Sequence, residues 1–223
     1  SVYNAGLPDN GVGIYANNST GENASTGRIE MRTEGAVGIF GETNSTLTNS
    51  GEIKVLKAGS AGIYGKDSDI TNSGKKTDTD TKGIYVKQGS SAGIFGVVSG
   101  TVPKTITNTG DIITEAMPTG DTQSAGIYGE VTSAGSKLTI AHTGNITVNG
   151  DKSVGIYAKN GSGAVANLVI DNTITTGGVI KKGTININKE KSVGIYASNS
   201  TVSGVGKITL SNDANESIGV YAE

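Results

Sequence analysis

The sequence predicts an all-β protein that folds as a parallel β-helix, with about eight coils of three short strands and loop insertions between them. The first observation is a hexad, Ser-Val-Gly-Ile-Tyr-Ala at 153–158, which occurs eight times with small changes in 223 residues. The second is a composition with 35 glycines, three prolines and no tryptophan, which is typical of short strands joined by turns. The third is the alternation of apolar residues with a period of two, which indicates strands.

The hexad is the first strand of each coil. Its glycine returns after 24 residues or more, so each repeat is too small to bury a core alone and must stack on its neighbours. Strict alternation would place Val154, Ile156 and Ala158 inside the coil, with Gly155 and Tyr157 outside. The aromatic position would then form one outward column, which we call the aromatic column: Tyr15, Phe40, Tyr64, Phe95, Tyr128, Tyr157, Tyr196 and Tyr221.

The second strand carries a recurring asparagine. In the stretches 47–51, 70–74 and 106–110, an apolar residue stands four positions before a glycine and an asparagine stands two positions before it. A histidine takes the asparagine position in 140–144, and a similar motif begins at 170 and then departs from the pattern. Because equivalent residues stack along a β-helix, we predict a structural ladder of hydrogen-bonded side chains. Its members are Asn49, Asn72, Asn108, His142 and Asn172.

In four coils the third strand begins with an isoleucine nine residues before the next hexad glycine: Ile29, Ile53, Ile146 and Ile185. This spacing decides how to interpret 83–86, where Gly-Ile-Tyr-Val resembles a ninth hexad. Ile84 lies nine residues before Gly93, and a coil of only ten residues could not enclose a core. We therefore place Ile84 in a third strand and predict that Tyr85 does not join the aromatic column.

Polar or glycine-rich insertions lengthen several coils, and we place them at 75–82, 97–104, 114–123, 130–136, 161–166 and 175–182. A ligand site is expected where coils differ rather than where they repeat. The insertion at 75–82 has the densest charge, so its charged side chains are the candidate ligand-binding residues: Lys75, Lys76, Asp78, Asp80 and Lys82. The alternative is a glycan-binding stripe along the aromatic column, and we expect those rings mainly to stack on one another instead.

Composition restricts the classes of function further. The absence of cysteine excludes disulfides and thiolate metal sites. With a net charge of −2 and only Arg28 and Arg32 as arginines, the chain has no basic stripe, so we expect no nucleic-acid partner. No apolar run has the length of a membrane span, and residue 1 does not begin a signal peptide. We interpret residues 1–223 as a single β-helix segment of a longer protein.

Some parallel β-helices are polysaccharide lyases or hydrolases, which need carboxylates held together on one face. The acidic residues here are scattered, so we expect no enzyme activity, no catalytic residues and no cofactor. The acidic pairs at 67–69 and 78–80 could ligate calcium, but they match no calcium-loop motif, so we expect solvated loops and no metal site. His142 is the single histidine, and its place in the ladder favours a structural role.

The hexads Ser-Val-Gly-Ile-Tyr-Ala and Ala-Gly-Ile-Tyr-Gly alternate with Thr-Asn-Ser-Gly-Glu-Ile and Thr-Asn-Thr-Gly-Asp-Ile. From about residue 11 to residue 223, this pattern resembles the passenger region of the large fusobacterial-type autotransporter adhesins. The resemblance implies a right-handed β-helix that is displayed on the outer side of the outer membrane. It also implies that any membrane contact is made only through a C-terminal barrel, which this segment lacks. No binding residue of that family can be transferred, because no motif defines one.

These observations together predict a non-enzymatic adhesin segment at the cell surface. We expect it to be a monomer that attaches to a surface protein or glycan of another bacterium or a host cell through its solenoid surface and loops. A carbohydrate-active β-helix enzyme is one alternative, and a structural stalk or spacer is another.

Overall fold

The computed structural model describes residues 2–4, 10–77, 81–115, 123–161, 167–176 and 179–223. Within these ranges the chain forms three parallel sheets, because each coil contributes one strand to each sheet before the chain returns to the first. This arrangement confirms the predicted β-helix of eight coils. No helix in the described ranges has the length and apolar character needed to cross a membrane.

The first sheet, the hexad sheet, contains the hexads in sequence order: β2 (Val12–Asn17), β5 (Val37–Glu42), β8 (Ala61–Lys66), β11 (Ala92–Val98), β14 (Ala125–Val131), β17 (Val154–Asn160), β22 (Val193–Ser198) and β25 (Ile218–Ala222). The second, the ladder sheet, contains β3 (Thr20–Asn23), β6 (Thr46–Asn49), β9 (Asp69–Asn72), β12 (Lys104–Asn108), β15 (Leu138–His142), β18 (Leu168–Asp171) and β23 (Thr201–Gly204). The third sheet contains β1 (Val2–Asn4), β4 (Arg28–Met31), β7 (Glu52–Val55), β10 (Gly83–Val86), β13 (Asp111–Thr114), β16 (Asn145–Val148), β21 (Thr184–Ile187) and β24 (Lys207–Leu210).

The core consists of stacked aliphatic side chains. Parallel pairing keeps equivalent residues in register, so Ile156 lies beside Ile127 in one neighbouring coil and beside Ile195 in the other. Each sheet contributes such a column. One isoleucine from each, Ile156, Ile170 and Ile185, is fully buried. Burial of one aliphatic side chain stabilises the fold by about 1.5–3 kcal/mol, and here the contribution is repeated in every coil.

The predicted orientation of the hexad is right for Ile156 and Ala158 and wrong for Val154 and Gly155. Val154 is shielded but lies outside the core cluster, and it lines a surface groove together with Tyr157. A Cβ atom on Gly155 would lie 2.9 Å from Cγ2 of Ile185 in the core. It would also lie 2.6 Å from the carbonyl oxygen of Gly194 in the next coil. The alternation therefore breaks at the glycine, because adjacent backbones approach too closely there for any side chain.

The stretch that resembles a ninth hexad belongs to the third sheet, as predicted. Within β10, Ile84 pairs with Ile53 of β7 and with Ile112 of β13. The aromatic column passes from Tyr64 directly to Phe95, whose ring centroids are 5.0 Å apart. The rule of nine residues between a third strand and the next hexad glycine is thereby confirmed at this site.

The insertions are more ordered than their polar composition suggests. The predicted insertion at 175–182 includes one strand and part of another in an antiparallel hairpin, formed by β19 (Thr173–Thr176) and β20 (Val179–Lys182). The predicted insertions at 97–104 and 130–136 begin inside strands, because β11 continues to Val98 and β14 to Val131. Most of the predicted insertions at 114–123 and 161–166 lies outside the described residues.

Candidate functional site

The insertion at 75–82 lies against the outer face of the third sheet. The backbone N–H of Lys76 donates a hydrogen bond to Oδ2 of Asp111 over 2.6 Å. Lys76 and Thr81 also form an antiparallel bridge, which closes the insertion into a small loop. Lys75 and Lys76 are exposed and Lys82 is half-buried. The other two candidate ligand-binding residues, Asp78 and Asp80, lie outside the described residues.

The loop forms one wall of a polar recess of about 660 Å³ in the outer face of the third sheet. Lys76 and Thr77 stand at that wall, and the recess extends over side chains of four successive third strands. These further lining residues are Tyr85, Asp111, Ile113, Glu115, Asn145, Thr147, Asn149 and Asn186. Sequence analysis identified the loop but not the strand residues, because a polar residue on the outer face of a strand carries no signal of its own.

The carboxylates of the recess are held by neighbouring groups. Oδ1 of Asp111 accepts a hydrogen bond from Nδ2 of Asn145 over 2.9 Å, in addition to the bond from Lys76. The carboxylate of Glu115 lies 2.9 Å from Nζ of Lys87. Amide, hydroxyl and carboxylate groups in this arrangement can donate and accept hydrogen bonds to a polar ligand, with the acidic groups fixed in orientation.

The described part of the Asn ladder is a continuous chain of side-chain amides. Nδ2 of Asn49 donates to Oδ1 of Asn72 over 2.8 Å, and Nδ2 of Asn72 donates to Oδ1 of Asn108 over 2.8 Å. Asn23 adds a rung before Asn49, because its Nδ2 donates to Oδ1 of Asn49 over 2.8 Å. Sequence analysis missed Asn23 because Gly21 takes the place of the apolar residue that marks the motif elsewhere. All of these amides are buried, so each bond satisfies groups that would otherwise be costly to desolvate.

The ladder ends at His142. Nδ1 of its ring lies 3.0 Å from Nδ2 of Asn108, and Nε2 lies 3.3 Å from the carbonyl oxygen of Thr184. Because Nδ2 of Asn108 can only donate, Nδ1 of His142 accepts and its Nε2 carries the proton. Asn172 occupies the next position, and its Nδ2 donates onward to the carbonyl oxygen of Val205 over 2.7 Å. Its Oδ1 atom is buried and accepts no hydrogen bond from the described residues, so the ladder is interrupted between His142 and Asn172.

A second polar ladder, which sequence analysis missed, runs beside the hexads. Oγ of Ser192 accepts a hydrogen bond from the backbone N–H of Ser153 over 3.2 Å. Oγ of Ser217 accepts one from the backbone N–H of Ser192 over 3.0 Å. Ser60 and Ser91 are linked in the same way over 3.3 Å. The signal was present as the first residue of the repeated hexad, but serine is so frequent in this chain that its position carried little weight.

The rings of the aromatic column stack on one another. Consecutive ring centroids lie between 4.5 Å, for Phe95 and Tyr128, and 5.6 Å, for Tyr15 and Phe40. The rings from Tyr128 to Tyr196 are nearly parallel, so most of their faces contact other rings. Burial and the nearby Glu130 carboxylate raise the pKa of Tyr128, which keeps its phenol protonated. The geometry therefore agrees with the expectation of mutual stacking.

The residues considered as calcium ligands at 67–69 are engaged in the fold. Asp67 accepts hydrogen bonds from the backbone N–H groups of Ser99 and Gly100, each over 2.7 Å. Burial alone would raise the pKa of Asp67, but these bonds outweigh it and lower the pKa. Asp69 accepts a bond from the backbone N–H of Thr105 over 2.8 Å. Among the described residues, no group of three or more His, Cys, Asp and Glu side chains is placed to hold a metal ion.

Residues 2–176, more than half of the chain, match the model of the family described as BigA third pectate lyase-like domain. No curated protein and no solved structure matches the chain.

Proposed function

Since the chain belongs to the BigA third pectate lyase-like domain family, we propose that this passenger-like domain of a bacterial surface protein is a non-enzymatic attachment module. It binds a surface protein or glycan of another cell through its outer face and its insertions. The parallel β-helix supplies a rigid rod, and the departures from its repeat supply specificity.

The observation that carries this proposal is the recess beside the insertion at 75–82. The loop is held in place by the bond from Lys76 to Asp111, so Lys76 and Thr77 stand at the edge of a preformed polar surface. A preformed site loses little conformational entropy when a ligand binds. Asn186 and Thr147 lie within this surface, and their side chains make no hydrogen bonds to the described residues. They are available to a ligand.

The finer assignment is to the fusobacterial-type autotransporter adhesins, with display on the extracellular side of the outer membrane. It is supported by the hexads and by the Thr-Asn-Ser-Gly motifs that alternate with them. A non-enzymatic role is supported by the recess itself, because Asp111 is bound by Lys76 and Asn145. Such a carboxylate is poorly placed to act as a general acid or base.

The test is deletion of residues 75–82. The deletion joins Gly74 to Gly83 and restores Thr-Asn-Ser-Gly followed by one residue and isoleucine, as in the neighbouring coil at 48–53. The backbone N–H of Gly83 already donates to the carbonyl oxygen of Gly51 over 2.9 Å, in the same way that Asp111 bonds to Gly74 over 2.8 Å. We therefore expect the shortened chain to fold.

Attachment of labelled partner cells to the immobilised protein is then compared between the parent, the deletion variant and a Tyr128→Ser/Tyr157→Ser variant. Circular dichroism and thermal unfolding establish that both variants are folded. We expect the deletion to reduce attachment by more than the tyrosine substitutions do. Loss of attachment only in the folded tyrosine variant would move the site to the aromatic column. Unchanged attachment in both variants, or none by the parent, would favour a spacer and contradict the proposal.

A further inference from the structure

A second departure from the repeat lies on the hexad sheet, away from the insertion. The residue before each hexad glycine faces outward, beside the aromatic column. It is alanine in three consecutive coils, at Ala61, Ala92 and Ala125. In the coils on either side it is larger: Val12, Val37, Val154, Val193 and Ile218. The outer surface of the sheet is therefore lower over the three central coils than at its two ends.

The turn that borders this surface changes at the C-terminal end of the three central coils. The residue three positions before the hexad glycine has a positive φ angle in most coils, between 54° and 67°. In the first five coils it is uncharged: Asn10, Gly35, Gly59, Ser90 and Gln123. In the three coils that follow it is long and charged: Lys152, Lys191 and Glu216. The border is thus uncharged along the central coils and becomes charged where the larger residue returns, at Val154.

These two changes produce a groove of about 550 Å³ that runs along the rod. Ala61, Ala92 and Ala125 form its floor, and the rings of Tyr64, Phe95 and Tyr128 form one wall. The opposite wall is the uncharged border formed by the turn residues. The ring column also changes here, because the planes of Tyr64 and Phe95 are 87° apart, whereas those of Phe95 and Tyr128 are 10° apart. The ring planes therefore change direction between Tyr64 and Phe95, within the groove.

We propose that this groove binds an uncharged, extended glycan chain of a partner cell surface, with about one sugar residue for each coil. None of the described residues that line the groove is charged, which matches a neutral ligand and offers no counter-ion to an acidic polysaccharide. The alanine floor is flat and apolar, which suits the C–H faces of sugar rings, and the edges of the aromatic rings border it on one side. Ser90 and Gln123 are exposed at the border, where a hydroxyl and an amide can bond to sugar hydroxyl groups.

The spacing of the coils also favours a glycan over a peptide. Successive coils rise by about 4.8 Å, which is close to the length of one pyranose residue in an extended chain. An extended peptide advances by about 3.4 Å per residue and does not stay in register with the coils. This site goes beyond the attachment proposed through the recess at 75–82 and does not depend on it.

The test uses Ala92→Val, which introduces the residue already present at Val37 and Val154 and fills the centre of the groove. The matched control is Ala134→Val, the same substitution in an exposed turn. Both variants should melt like the parent. Cellohexaose, mannohexaose and chitohexaose are titrated into each protein by calorimetry, with hexagalacturonate as an acidic chain of equal length and a twelve-residue alternating alanine–threonine peptide as a polypeptide.

We expect at least one neutral hexasaccharide to bind the parent and the control equally, and to bind Ala92→Val at least about tenfold more weakly. Binding of none of the three, equal binding by Ala92→Val, or preference for hexagalacturonate or the peptide would overturn the proposal. Because this experiment uses soluble ligands at another face, its failure would leave the attachment assay with the deletion variant unaffected.

Discussion

Nδ2 of Asn108 donates a hydrogen bond to Nδ1 of His142 over 3.0 Å, at a point in the core where neither residue is exposed. A ring nitrogen that accepts a hydrogen bond cannot carry a proton, so the neutral imidazole is the form that fits. Burial lowers the pKa of His142 to about 4. A protonated ring would place two donors against each other. The ladder that links five successive coils therefore ends in a rung that is sensitive to acid.

This rung should make the stability of the fold depend on pH. The folded-state pKa of about 4 lies below the ordinary value of 6.5, so the unfolded chain binds a proton in this interval and the folded chain does not. The contribution is present above pH 6.5 and is lost as the pH falls towards 4. We expect the free energy of unfolding in urea to decrease by about 3 kcal/mol over this range through His142.

The control is His142→Asn, which keeps an amide rung and removes the titrating group. Its side chain can accept from Asn108 and can donate towards Oδ1 of Asn172, which accepts no hydrogen bond from the described part of the chain. We expect the variant to retain its stability between pH 6.5 and 5. A pH dependence as steep as that of the parent would show that other groups are responsible.

The corrected orientation of the hexad predicts different costs for two neighbouring substitutions. Ile156→Asp would bury a carboxylate without a partner among stacked isoleucines, so we expect a loss of about 4 kcal/mol or more. Val154→Asp would place the carboxylate beside Tyr157 at the lining of the surface groove and outside the core cluster, and should cost only about 1–2 kcal/mol. Urea unfolding of both variants measures the difference. Equal losses would contradict the outward orientation of Val154.

The hexad glycine should tolerate no Cβ atom. In Gly155→Ala the new methyl group would lie within 2.6 Å of the carbonyl oxygen of Gly194, so the two coils would have to separate. We expect a loss of about 1–3 kcal/mol, as in other overpacked sites. Gly161→Ala is the control, because there the nearest atom, the carbonyl oxygen of Val131, is 3.4 Å away. A loss of stability as large in Gly161→Ala would mean that the close approach of coils is not the cause.

Register could be predicted from the sequence, whereas local orientation could not. Nine residues between Ile84 and Gly93 sufficed to assign the third strand, because a register error would expose a complete column of isoleucines. The orientation of Val154 depends on how closely Gly155 and Gly194 approach each other, which is a property of two coils and not of one. Alternation within a single strand therefore gave the wrong face.

The candidate sites, too, could be predicted in part from the sequence and in part only from contacts between coils. The insertion at 75–82 was recognisable by its charge, but its position over Asp111 follows from a bond between segments 35 residues apart. Asn172 stands at the expected position, and yet its Oδ1 atom accepts no bond from the described residues, because the N–H of His142 is directed to the carbonyl oxygen of Thr184. The identity of one rung thus decides whether the next can join, and a motif search treats each rung separately.

The ladder itself can be tested with two asparagines that share a position but not a role. Asn72 accepts from Asn49 and donates to Asn108, so Asn72→Ala removes two buried bonds and leaves a donor and an acceptor without these partners. We expect a loss of about 2–4 kcal/mol. Asn172→Ala removes one bond, to the carbonyl oxygen of Val205, and also removes an oxygen that is already unpartnered. That variant should lose only about 1 kcal/mol. Thermal and urea unfolding of the two variants provide the comparison. If Asn172→Ala were as unstable as Asn72→Ala, stabilisation would come from burial of each amide in its own coil and not from hydrogen bonds between coils.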